Sequence, residues 1–182
     1  MKVLVTLATG FEEIEAITVV DILRRVEIDV TTAYLDENPV IGSHNISINA
    51  DKCLSDLKSD DFDCIILPGG LPGSENLKND DTVISFVKNI NSRGGYVAAI
   101  CAAPIVLGHA GIVEGKNATC YPGFEGAMKG ANYTSQPAEV DGNIITGKGP
   151  GCSIPFALEI VKALKGEEVM TELKNIMQIY WM

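Results

Sequence analysis

An α/β fold, a doubly wound and mostly parallel sheet of flavodoxin-like character with helices on both faces, is predicted by three observations. Short apolar runs rich in Val and Ile recur along the chain, segments with apolar residues at helical spacing alternate with them, and the joins are short and marked by Gly or Pro.

Residues 2–8, KVLVTLA, read as a buried strand, and Thr9-Gly10 turns the chain into a helix over EEIEAITVVDILRR that ends near Arg25. Residues 28–35, IDVTTAYL, form a second strand. PVIGSHNISIN, residues 39–49, is β-prone on both sides of a turn at 42–45 and is predicted to be a hairpin at a sheet edge. FDCIILPGG is apolar without alternation until Pro68, as expected of a parallel strand covered on both faces. Over 80–93, Val83, Ile84, Phe86, Val87 and Ile90 recur at helical spacing before Gly94-Gly95, and YVAAI, residues 96–100, is another buried strand. Beyond Cys101 a short helix starts at Pro104 and a small strand lies near 118–121. EVDGNIITG makes a hairpin turning at Asp141-Gly142, and two helices follow, SIPFALEIVKALKG and EEVMTELKNIM.

The 182 residues are 46% apolar, spread from end to end, and no linker divides them, so one domain over 1–182 is expected. No run approaches the roughly 18 uncharged residues of a membrane span, and the opening MKVLVTLATGFEE turns acidic too early for a signal peptide. A cytoplasmic protein without a membrane partner is the expectation. A formal net charge of -10 repels phosphate backbones, which argues against stable nucleic-acid binding. Five cysteines without C-x-x-C spacing point to free thiols in a reducing compartment. His44 and His109 have no Cys, His or carboxylate at metal-ligand spacing around them, so no metal site is expected.

In open α/β sheets ligands bind beyond the carboxyl ends of the strands, which singles out the loops at 9–15, 68–73, 101–104 and 148–152. Ala99-Ile100-Cys101-Ala102-Ala103 follows the logic of a nucleophile elbow, with small residues two before and two after the reactive side chain. Backbone N–H groups at such a turn stabilise a thiolate; the same pattern also suits one more buried cysteine. Pro68-Gly69-Gly70 lets N–H groups approach a ligand and, with Ala102, offers an oxyanion site, or is an ordinary Gly-rich turn. Lys148-Gly149-Pro150-Gly151 has the same two readings and lacks the residue order of a P-loop. Glu12 and Glu13 read as solvated charges at a helix start. Glu15 shares a helix face with Val19, Ile22 and Val26, and is either a desolvated carboxyl with a raised pKa or an acid at the exposed edge of that stripe. His44 sits in the hairpin turn and His109 near a helix end, neither at a strand's carboxyl end. Tyr121 and Glu125 follow the small strand within reach of the same crevice, or pack on a loop.

KVLVTLATGFEEIEA, DCIILPGG, AAICAAP and TGKGPGCSIPFALEIV, in this order and spacing over residues 2–173, resemble the ThiJ/PfpI superfamily and, within it, the branch of the Parkinson-disease-linked deglycase. The resemblance implies a flavodoxin-like sandwich of the class I glutamine amidotransferase type, a homodimer and no cofactor. It further implies a Cys101 nucleophile hydrogen-bonded to a protonated Glu15, with N–H groups of Gly70 and Ala102 lining an anion pocket. Two positions depart from the pattern. Tyr121 stands where the branch often has His, and His44 replaces a hairpin arginine that contacts a neighbouring subunit. Ala102, directly after the cysteine, replaces the His of the protease-like branch. The implied substrates are small aldehydes or glycated amines and thiols: methylglyoxal converted to lactate without glutathione, or early glycation adducts removed. An oxidation sensor or redox-regulated chaperone using Cys101 without turnover is the rival the same residues allow.

Overall fold

The computed structural model describes residues 1–180, in which a seven-stranded sheet lies between two helical layers. In chain order the elements are β1 (Lys2–Leu7), α1 (Glu13–Arg25), β2 (Asp29–Tyr34), β3 (Val40–Ile41), β4 (Ser47–Ile48), β5 (Lys52–Cys53), β6 (Cys64–Leu67), α2 (Gly73–Asn79) and α3 (Asp81–Ser92). Then come β7 (Tyr96–Ile100), α4 (Pro104–Ala110), β8 (Asn117–Ala118), β9 (Asn132–Tyr133), β10 (Ala138–Asp141), β11 (Ile144–Gly147), α5 (Ser153–Lys165) and α6 (Glu167–Ile176). The sheet order is β10-β11-β7-β6-β1-β2-β5, and only the β10–β11 pair is antiparallel.

Period-two geometry explains why the strands read as unbroken apolar runs. Val3, Val5 and Leu7 of β1 face one core with Ala16, Val19 and Ile22 of α1 and Phe156 and Ile160 of α5. Leu4 faces the other core, with Leu77 of α2, Val83 and Val87 of α3 and Ile105 of α4. The chain leaves β1 for β2 on one side and reaches β6 on the other, so β1 is the switch point beside which α/β sheets open a crevice. The loops after β1, β6, β7 and β11 converge on that end.

Three expectations are corrected. The 39–49 hairpin forms, but as a separate two-stranded sheet, and β5 takes the sheet edge instead. The hairpin is drawn onto the start of α1, where Gly10 N–H donates to Ile41 O at 2.7 Å and Ser43 N–H to Phe11 O at 2.8 Å. Helix α2 was not foreseen, because it follows Pro72, starts with Gly73 and buries one large apolar side chain, Leu77. The small strand is Asn117–Ala118 rather than 118–121, and pairs with β9 in a sheet of its own. The last hairpin turns at Gly142, φ +66°, as its sequence requires. All five cysteines are free. Among the described residues no helix is long and apolar enough to cross a membrane.

Candidate active site

Cys101 is the first residue after β7, and its φ of +64° lies in the left-handed region that an L-residue occupies only under constraint. The constraint is visible on both sides of the residue. Its N–H donates to Gly147 O at 2.9 Å, its carbonyl accepts from Tyr121 N–H at 2.8 Å, and Ala103 N–H reaches back to Ile100 O at 3.0 Å. Ala99 and Ala103 are fully buried, so the tight turn has no room for larger side chains. The elbow predicted from Ala99-Ile100-Cys101-Ala102-Ala103 is therefore present, with Cys101 8% exposed.

The structure decides between the two readings of Glu15: the carboxyl is fully buried on the face of α1 that also buries Val19 and Ile22. Oε2 accepts the Gly69 N–H at 2.7 Å. The other oxygen, Oε1, has no N–H or O–H partner, and the carboxyl interacts with the Cys101 thiol. A methyl group on Gly69 would stand 2.6 Å from both Glu15 Oε2 and Cys101 Cβ, so only glycine lets the three chain segments meet. Gly70 has φ +88°, and a side chain there would strike Glu12 N at 2.4 Å.

Burial pushes the Glu15 carboxyl up to about 7, against the opposing hydrogen bonds from Gly69 and Cys101 and with help from the charge of Glu12. Burial also pushes the Cys101 thiol up, with the Glu15 charge and hydrogen bond adding to it, to about 12; the N–H groups of Ala102 and Gly70 act in the opposite direction. Burial and the Glu15 charge thus oppose the thiolate that the elbow N–H groups favour. The two groups titrate as a pair that loses one proton near neutrality and retains the second.

The remaining candidates divide. The N–H groups of Gly70 and Ala102 favour the charged form of the thiol, whereas the N–H of Gly69, expected to serve an oxyanion, is already donated to Glu15. Tyr121 lies beside the elbow through its backbone, and its half-exposed ring packs edge-to-face on Phe124 and against Gly149. Pro150 starts a 3₁₀ turn and its carbonyl accepts Ser153 Oγ at 2.7 Å; no hydrogen bond joins it to Cys101 or Glu15. Glu125 folds back on the N–H of Gly123 at 2.9 Å and is partly buried.

Glu13 corrects the reading of a solvated acid. Only 6% of the residue is exposed, and its carboxylate grips the hairpin through His44 N–H at 2.7 Å, Ile46 N–H at 3.4 Å and the His44 ring at 2.9 Å. Burial favours its neutral form, but these hydrogen bonds outweigh burial and bring the pKa down to about 2. Glu12, Glu13 and His44 thereby gather their ligating atoms within 4.8 Å of one another. No local pattern announces this cluster, since 31 residues separate Glu13 from His44.

A family model described as DJ-1/PfpI family matches residues 1–163. The chain is 40% identical over 181 residues to protein dj-1beta of Drosophila melanogaster, covering 97% of each. The crystal structure of Drosophila DJ-1beta superposes with a TM-score of 0.93 at 39% identity, over 97% of each chain. A protein of Pyrococcus abyssi named deglycase is 31% identical over 167 residues, 91% of this chain and 100% of that protein. DJ-1 homologs B and A of Arabidopsis thaliana are 42% and 40% identical, and the chain spans only 40% and 46% of their lengths.

Proposed function

The chain belongs to the DJ-1/PfpI family, and on that premise we propose that it is a cysteine enzyme acting on reactive aldehydes, as a glutathione-independent glyoxalase, a deglycase of early glycation adducts, or both. The observation that carries the proposal is the pair itself: a thiol on a strained elbow against a fully buried carboxyl whose pKa sits at about 7. A group that holds or gives up a proton at neutral pH beside a nucleophile suits a reaction that moves a proton between adjacent carbons.

For methylglyoxal the steps balance as follows. The remaining proton of the pair passes from the Cys101 thiol to Glu15 as the sulphur attacks the aldehyde carbon, and the developing oxyanion is met by the N–H groups of Gly70 and Ala102. Glu15 gives its proton to that oxygen. Its carboxylate then takes the hydrogen from the former aldehyde carbon and returns it to the neighbouring carbonyl carbon, while the hydroxyl proton passes from the first oxygen to the second, leaving a lactoyl thioester on Cys101. Water cleaves the thioester to lactate and restores the thiol, so the net change is methylglyoxal plus water to lactic acid, with no external oxidant or reductant.

The unpartnered Oε1 favours one alternative, since an oxygen added to the sulphur would find a hydrogen-bond partner there. Under that reading Cys101 is an oxidation sensor. Lactate measurement separates the two: the enzyme forms many equivalents per chain from methylglyoxal without glutathione and loses this in Cys101→Ser, whereas a sensor forms no more than one.

The same reading includes a homodimer. Ile14 and Ile17 of α1 and Ile41 and Ile46 of the hairpin are 42–55% exposed, on two elements held together by Glu13, and a second copy would cover them.

A further inference from the structure

Tyr121 stands beside the elbow, and two loops tied to the nucleophile's own backbone fix its ring there. Its N–H donates to Cys101 O at 2.8 Å. Its ring lies against Gly149, where an added Cβ would stand 3.2 Å from Cδ2 and 3.7 Å from Cε2. Gly149 follows β11, whose Gly147 carbonyl accepts the Cys101 N–H at 2.9 Å. We infer, on the aldehyde chemistry proposed for Cys101, that the Tyr121 ring is the wall against which the substrate's side group rests, and that it biases the site toward α-ketoaldehydes carrying an aryl group.

The ring is on the thiol's side of the sheet. A Cβ on Gly147 would meet Ile100 and Phe156, which share a core with Cys101. Two residues on, a Cβ at Gly149 points the same way by the period-two rule, and there it meets the Tyr121 ring. The ring's other aromatic contact is Phe124, edge-to-face with centroids 6.4 Å apart and planes at 73°. Even so, 47% of Tyr121 remains exposed, so the ring keeps surface for a third partner.

Charged neighbours in the two loops are engaged elsewhere. Lys148 Nζ donates to Ser135 Oγ at 2.8 Å and Ser135 O at 3.2 Å, and Glu125 accepts the Gly123 N–H at 2.9 Å. The wall therefore offers an aromatic surface rather than a charge, which suits an aryl group better than a carboxylate. The proposed second copy rests on α1 and the β3–β4 hairpin, neither of which contributes to this wall. The chemistry at Cys101 is unchanged: phenylglyoxal plus water gives mandelic acid, as methylglyoxal plus water gives lactic acid.

The test is the ratio of kcat/KM for phenylglyoxal to that for methylglyoxal, compared between variants of the full-length protein so that intrinsic reactivities cancel. Tyr121→Ala should lower this ratio by about 3- to 10-fold, the size of an aromatic contact, mainly through KM for phenylglyoxal, while Tyr121→Phe keeps it. Tyr121→Leu keeps bulk over Gly149, should lower the ratio by at least about twofold and serves if Tyr121→Ala fails to fold. A second readout needs no turnover: alkylation of Cys101 by phenacyl bromide against bromoacetone, in which the sulphur loses its proton and displaces bromide, followed by mass spectrometry. The phenyl-to-methyl rate ratio should fall in the same variants. If the wild type turns over neither aldehyde, the enzyme reading fails and the alkylation ratio alone decides the role of Tyr121. Ratios unchanged in the alanine and leucine variants, or lost equally in Tyr121→Phe, would overturn the assignment.

Discussion

Gly69 donates its backbone N–H to Oε2 of Glu15 at 2.7 Å, and a methyl group added to Gly69 would stand 2.6 Å from that same oxygen. The same methyl would lie 2.9 Å from Ile100 O, a backbone atom with little freedom to move. Gly69→Ala should therefore separate the loop from the elbow. It should cost about 1–3 kcal/mol in denaturant unfolding and about 10²-fold in methylglyoxal turnover, through misplacement rather than lost chemistry. Wild-type turnover in this variant would show that the contact does not position the pair.

The left-handed backbone at Cys101 gives a second test that needs no substrate. Glycine occupies φ +64° without strain, whereas alanine keeps the penalty of a Cβ. After allowance for the greater freedom of unfolded glycine, Cys101→Gly should be about 0.5–1 kcal/mol more stable than Cys101→Ala. An alanine variant equal to or more stable than the glycine variant would mean that the elbow relaxes once the thiol is gone.

The parts of this arrangement legible in the sequence are those set by local pattern. Ala99-Ile100-Cys101-Ala102-Ala103 marked the elbow because small residues are required at fixed offsets, and Glu15 stood out as an acid heading the stripe of Val19 and Ile22. The unalternating runs of β1, β6 and β7 gave the layered sheet. What escaped depends on pairs distant in the chain. Glu13 is held by the hairpin 31 residues away, Gly69 by Glu15 54 residues away, and neither contact leaves a local trace. The two-residue β5 was too short to show alternation, and α2, with Leu77 as its one large buried apolar residue, had no stripe to read.

Glu15 also predicts a pH dependence of stability. Its folded-state pKa is raised from 4.5 to about 7, so the folded protein holds a proton that the unfolded chain releases. The stability this contributes is fully present below pH 4.5 and is lost as pH rises through about 7. Glu15→Gln does not titrate, while Glu13 and His44 are common to both proteins. The stability of Glu15→Gln relative to wild type should thus rise by about 3 kcal/mol across that window. A difference that stays flat from pH 4.5 to 7.5 would place the Glu15 pKa at its ordinary value.

The claim that Glu15 carries a proton for Cys101 is tested most directly by one paired measurement on Glu15→Gln. Glutamine keeps a hydrogen-bond donor beside the sulphur but has no transferable proton. It also removes the charge that, after burial, does most to hold the Cys101 thiol up. Iodoacetamide alkylation of Cys101, read by mass spectrometry, should stay as fast as in wild type or become faster, while methylglyoxal turnover falls by roughly 10²- to 10⁴-fold. Full turnover in Glu15→Gln, or an equal fall in alkylation and turnover, would contradict it.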